Sequence, residues 1–186
     1  MLQAIRVFRL RFPEVAHRHF ILIRPMTTPE ERRAANDLRV AEDIRRYGCH
    51  IVSVFEPDER HPPFSYSIGI QETTCCPEAI VIGLSHKLGA SMINEYLGQL
   101  RRGVRFVRGT PYEGFLEGFR IYVEPAKASG LTEYTLGCDR YYKGEKYAVV
   151  QLVWPSTAGV WPWQRWASEW LQHNQPMLGR KRPDRT

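Results

Sequence analysis

Residues 64–70 read FSYSIGI, and the strict alternation of that stretch constrains the fold more than any other part of the chain. In an extended conformation Phe64, Tyr66, Ile68 and Ile70 share one face, while Ser65, Ser67 and Gly69 share the other. Such a strand has one bulky apolar side and one side of almost bare backbone. A bare side calls for an occupant that comes close. Two occupants compete for it. One is a helix packed tightly over the small residues, with the helix starting near Pro29 as the candidate. The other is a planar or phosphate-bearing ligand that touches the Ser65 and Ser67 hydroxyls and the backbone at Gly69. Close packing is the simpler reading, because sheets commonly meet helices through small residues, and the ligand floor stays open beside it.

The flanking segments supply the rest of a fold. In TTPEERRAANDLRVAEDIRRYG, Thr28 is placed to cap a helix, Pro29 to start it and Glu31 to close a capping box. Ala34, Leu38, Ala41, Ile44 and Tyr47 recur at helical spacing, and Gly48 is the expected stop. CHIVSVF (49–55) reads as a strand, EPDERHPP as a surface loop and AIVIGLS (79–85) as a more buried strand. Leu88, Met92, Ile93, Tyr96, Leu97 and Leu100 mark one face of a helix that ends at Gly103. VRFV (104–107) and FRIYVEP (119–125) read as strands around a turn near Pro111 and Gly114. LTEYTLGCDRYYKG (131–144) reads as a helix and YAVVQLVWP (147–155) as a long strand. A final helix, QRWASEWLQH, places Trp163, Trp166 and Trp170 on one face.

Runs of strands punctuated by helices predict an α+β domain: a mainly antiparallel sheet of five to six strands with three to four helices. The 186 residues suit one domain, expected over 26–173. Residues 1–25 are expected to be a basic arm, disordered or a start-site artefact ahead of Met26, and 174–186 a basic mobile tail. The net charge of +6 sits in these two ends, which carry +4 over residues 1–25 and +3 over residues 173–186. The middle is nearly neutral, so the charge is no shaped footprint for nucleic acid. Cys49, Cys75, Cys76 and Cys138 lack the spacing of a zinc site or a secreted disulfide framework, which points to reduced thiols in a cytoplasm. No apolar run approaches the roughly 20 residues of a membrane span.

PFSYSIGI, then PEAIVIGL, then a helix ending in glycine, and finally YYKGEKYAVVQLVWPSTAGVWPW together resemble the bacterial domain-of-unknown-function 4262 family over about residues 36–165. The order and spacing of these stretches carry the likeness; no single one is diagnostic. Two positions depart from the family pattern: Cys76 stands where histidine is usual, and Ser156 where aspartate follows Trp-Pro. A role carried by either family residue therefore does not transfer to this chain. The resemblance implies a bacterial origin and a shared fold, and brings no established activity.

Candidate sites follow from residue chemistry. Glu78 with His86 would make an acid/base pair, and Cys76 with His86 a nucleophile and base, if the fold joined them. Cys75, Cys76, His61 and His86 are a poor zinc set, because adjacent cysteines rarely bind one tetrahedral ion together, so no metal is expected. Trp154 and Trp161 belong to a stiff Trp-Pro rim suited to sealing the sheet or anchoring a partner. Gln151, inside an apolar strand, requires buried partners and is a candidate ligand contact. There is no Gly-rich phosphate loop and no G-x-S-x-G elbow. The expected function is a non-catalytic domain of accessory or immunity type that binds a protein or small molecule. The alternative is a small flavin- or nucleotide-binding enzyme using the Ser65, Ser67 and Gly69 face. Catalysis, cofactor and oligomeric state are left open by the sequence.

Overall fold

The computed structural model describes residues 28–55 and 61–179. The basic arm, most of the loop after Phe55 and the last seven residues, 180–186, lie outside the described residues. Helix α1 (Pro29–Tyr47) begins as its sequence requires, with the Glu31 N–H donating to the Thr28 hydroxyl and the Thr28 N–H donating to the Glu31 carboxylate. Gly48, at φ +89°, ends it in the left-handed conformation that glycine tolerates. Its buried stripe is narrower than the periodicity predicts. Only Val40 and Ile44 are buried, while Leu38 is 73 % exposed and Tyr47 is also exposed. The helix lies over the margin of the sheet, so one row of side chains suffices to seat it.

Among the described residues six strands form one sheet: β1 (His50–Val54), β2 (Phe64–Ile68), β3 (Glu78–Ile82), β4 (Pro111–Leu116), β5 (Phe119–Pro125) and β6 (Val149–Val153). Their spatial order is β1-β2-β3-β6-β5-β4, and every pairing is antiparallel except the central β3–β6 pair. This is the expected α+β architecture with a mainly antiparallel sheet. There are six helices among the described residues, because short ones escape periodicity: α2 (Ile70–Thr74) follows β2, and α4 (Ala128–Leu131) and α5 (Leu136–Tyr142) replace the single helix expected over 131–144. Thr135 separates the last two, its hydroxyl bonded to the Tyr147 hydroxyl at 2.9 Å. Residues 104–107 form no strand. Tyr112 instead ties them as a loop, accepting the Val107 N–H and donating to the Arg105 carbonyl. The terminal helix α6 shrinks to Glu169–Asn174, capped by Ser168, and so Trp163 lies outside it while Trp166 and Trp170 face solvent.

Helix α3 (His86–Arg101) covers one face of the sheet, where Met92, Ile93, Tyr96 and Leu97 meet Ala79, Val81, Ile121, Val123 and Leu152. The other face carries Phe64, Tyr66, Ile68, Ile80 and Ile82 beneath α1, α4 and α5. Ser65 and Ser67 are buried on the α3 side, so the helix over the two serines is α3, while Gly69 meets Ile44 of the helix that starts at Pro29. The approach is close: a Cβ on Gly89 would lie 2.7 Å from the Ser65 hydroxyl oxygen and 3.0 Å from its Cβ. Beyond β6 the chain stays packed past Asn174. The Gln175 side chain accepts the Trp154 N–H and donates to the Trp154 carbonyl, and Leu178 is buried.

Gly89→Ala should therefore destabilise the protein even though alanine is the better helix former. Overpacking against Ser65 outweighs the gained propensity, for a net loss of about 1 kcal/mol in urea unfolding. Ser65→Gly in the same background should recover most of that loss.

Candidate functional site

The Glu78 carboxylate lies at the very start of β3 and has no solvent exposure. A charge so placed needs compensation, and four donors supply it: the Ser67 hydroxyl at 2.5 Å, the Gly69 N–H at 2.8 Å, the Gln71 N–H at 3.0 Å and the Tyr142 hydroxyl at 2.5 Å. The chain between β2 and α2 makes this possible. Gly69 sits at φ +97°, which turns the backbone so that its own N–H and that of Gln71 converge on one point. No side chain fits there, because a Cβ would come within 2.9 Å of three Ile44 atoms. Ser67 also accepts the Ala79 N–H at 2.9 Å, which fixes its hydroxyl toward the carboxylate. Thr73 donates to the Gly48 carbonyl at 2.8 Å and fastens α2 to the end of α1.

All four partners are neutral donors, so the buried negative charge acts on its surroundings. Burial first, then the bond to Glu78, pushes the Tyr142 phenol far above its ordinary range. Burial with the Glu78 charge lifts the Cys49 thiol to about 12 and the Cys138 thiol higher still. Both thiols stay protonated at neutral pH and are poor nucleophiles. Oε1 accepts three of these donors, the Gly69 and Gln71 N–H groups and the Tyr142 hydroxyl, while Oε2 accepts the Ser67 hydroxyl alone. Glu78 is an organising anion.

Tyr142 joins this buried centre to an open cleft of about 1450 Å³ between α1 and α5. Val52, Tyr66 and Ile68 form its floor. Arg140 of α5 bonds Asp37 of α1 at 2.6 Å, so an ion pair spans the two walls. His50 is held by Asp43 at 2.7 Å, and Tyr141 donates to Glu72 at 2.6 Å. The cleft touches His50, Ile51, Val52, Ser53 and Phe55 in turn. Consecutive strand residues point to opposite faces, so a cavity that touches them all runs along the outer edge of β1.

The structure distributes the sequence candidates widely. Ser65 shares a hydrogen bond with Ser53 under α3, while Ser67 and Gly69 belong to the Glu78 cradle. Gln151 is buried, donating to the Pro176 carbonyl and accepting the Leu178 N–H, each at 2.9 Å. Trp154 is buried with its indole N–H on the Ile82 carbonyl. Trp161 stacks on Trp163 at 5.2 Å, and both rings meet Tyr122. His86 is exposed and packs edge-on against Phe55, at the far end of β3 from Glu78 and Cys76, so neither proposed pair is brought together. His61 bonds Glu133, and among the described residues no three His, Cys, Asp or Glu side chains are grouped to hold a metal. Tyr142 and Gln71 escaped the sequence reading. Gln71 follows a glycine at a strand end, which is a usable signal; Tyr142 lies 64 residues from Glu78 and leaves none.

Residues 43–168 match the family model described as a domain of unknown function, DUF4262, and the chain belongs to that family. The matched span contains Ser67, Gly69, Glu78 and Tyr142. No curated protein and no solved structure matches the chain. No helix among the described residues is long and apolar enough to cross a membrane.

Glu78→Gln should cost about 3 kcal/mol in urea unfolding, because its amide places donors against donors, and Tyr142→Phe about 2 kcal/mol, because one charge-assisted bond is lost. A smaller effect for Glu78→Gln than for Tyr142→Phe would overturn the hub. Burial foremost raises Tyr66, Tyr96, Tyr141, Tyr142 and Tyr147, with Tyr66 and Tyr141 at about 12. Raised native values mean that the unfolded chain loses these protons first. Stability should hold level to about pH 9 and fall above about pH 10, with these five tyrosines ionising only as the fold is lost.

Proposed function

We propose that this domain is a non-catalytic binding module that takes an extended segment of a partner protein along the outer edge of β1, in the cleft between α1 and α5. The observation that carries this reading is the path of the cleft, which follows consecutive residues of the strand that is outermost among the described residues. An edge strand offers a row of backbone donors and acceptors, and an added strand satisfies them while its alternate side chains enter flanking pockets. Val52, Tyr66 and Ile68 would receive the apolar side chains on one face, and exposed Leu136 stands at the rim. The burial of Glu78 among four donors from the protein itself and the separation of Cys76 and Glu78 from His86 favour binding over turnover. The four cysteines are free, which agrees with work in a reducing bacterial cytoplasm. A flavin or nucleotide enzyme built on Ser65, Ser67 and Gly69 has less support, because α3 and the Glu78 cradle occupy that face.

Selection from a random-peptide display library against the folded chain tests the reading. Enriched peptides should alternate apolar residues and should slow hydrogen exchange at every second amide of residues 50–54. Leu136→Glu should weaken the selected peptide about tenfold while moving the melting temperature by no more than about 2 °C. Peptides that protect other amides, or ignore Leu136→Glu, would sink the proposal, as would turnover of a metabolite lost in a cleft variant.

A further inference from the structure

A second, smaller cavity of about 170 Å³ lies on the opposite side of the sheet, independent of the cleft. The C-terminal half of α3 roofs it with Tyr96 and Leu100, the loop before β4 closes it with Phe106, and Val123 and Val150 of β5 and β6 form its floor. The Tyr96 hydroxyl donates to the Pro77 carbonyl at 3.1 Å, so only its ring is offered to the space. Burial holds that phenol protonated well above its usual range. The interior is therefore apolar, and its size is close to the roughly 150 Å³ of cavities that take benzene.

Charge is confined to the mouth. Of the arginines near this end of α3, Arg101 donates to the Tyr47 carbonyl, Arg102 pairs with Glu95 and Arg108 pairs with Glu124 at 3.0 Å. Arg105 lines the cavity, and its guanidinium makes no hydrogen bond or ion pair among the described residues. Because Glu124 offsets Arg108, one positive charge remains over an apolar hole. Cys76, partly exposed, lines the same cavity, whereas the adjacent Cys75 is exposed and does not.

We infer that this cavity is a binding site for a small monocarboxylate with an apolar body, a short fatty acid or an aromatic acid, its carboxylate paired with Arg105 and its body against Phe106, Val123 and Val150. The chemistry follows from the lining. A single cation selects one anionic head, the floor has no polar group to receive a sugar or base, and the volume excludes a nucleotide. A ligand of this size should bind with a Kd of about 1 mM.

The experiment uses the full chain with octanoate and benzoate as probes. Binding is read by isothermal titration and by the rate of iodoacetamide labelling, resolved between Cys75 and Cys76 by fragmentation mass spectrometry. Each acid should bind at one site and slow labelling of Cys76 about fivefold at saturation, leaving Cys75 unchanged. Arg105→Glu, an exposed substitution that should fold normally, is expected to weaken the acids about tenfold and to leave benzyl alcohol unaffected. Three results would each overturn the inference: no saturable binding of either acid, equal protection of both cysteines, or acid affinity unchanged in Arg105→Glu. Because the readout lies at Cys76 and Arg105, failure here leaves the β1 cleft untouched, and failure of the peptide selection leaves this site untouched.

Discussion

Two separate parts of the chain, residues 67–71 and the end of α5, turn toward one carboxylate that has no access to water. Burying such a charge without partners costs several kcal/mol, so the surrounding backbone is held to arrangements that bring donors to it. The Ser67 hydroxyl fixes the register of β2 on β3, the Gly69 and Gln71 N–H groups fix the sharp exit from β2 into α2, and Tyr142 fixes the end of α5 over the sheet. The chain around Gly69 could turn otherwise in isolation. Here the turn must place two N–H groups on Glu78 while Ile44 of α1 fills the space a side chain would take. One anion thus couples the central strands to both helices that wall the cleft.

That coupling explains why the protein has an open face at all. Helix α1 touches the sheet through Val40 and Ile44, and α5 through Cys138 and its tie to Glu78, so the two helices stand apart over β1 and β2. The Arg140–Asp37 pair bridges them at the surface, where such a pair contributes roughly 1 kcal/mol or less. Rigid placement at the base and a weak link at the top leave a groove whose floor is apolar and whose side is a strand edge. The far side of the sheet is different. There α3 packs down on Ser65 through Gly89, and cavity space survives only at its C-terminal end, where the loop around Phe106 replaces a strand.

Three of the polar residues placed inside strands have a common fate. Ser67, Gln151 and Glu78 face inward, and each hydrogen-bonds the backbone of a neighbouring segment. Gln151 and Gln175 together stitch the segment after α6 onto β6, which keeps the chain packed through Leu178. The tryptophan rim divides in the same manner: Trp154 closes the core, the Trp161–Trp163 stack rests on Tyr122, and Trp166 and Trp170 stay in solvent.

What the sequence determined by itself is the local grammar. The cap at Thr28, the stop at Gly48, the alternation from Phe64 to Ile68 and the apolar stripe of α3 each follow from steric and hydrogen-bonding rules acting within a few residues, whereas Ile70, expected on the Phe64 face, belongs to α2 and the opposite core. Those rules were enough for the α+β class, the mainly antiparallel sheet and the demand for a close neighbour on the bare face. They missed the short helices, because α2 and α4 span too few turns to show a period. Only the tertiary structure decided which helix lies over Ser65, that Glu78 meets Tyr142 and not His86, and that a cleft follows the edge of β1. Each of these depends on how layers stack across tens of residues, and local spacing carries no record of that. The sequence placed a carboxylate at the head of a buried strand; the fold, by surrounding it with four donors, made it an organising centre.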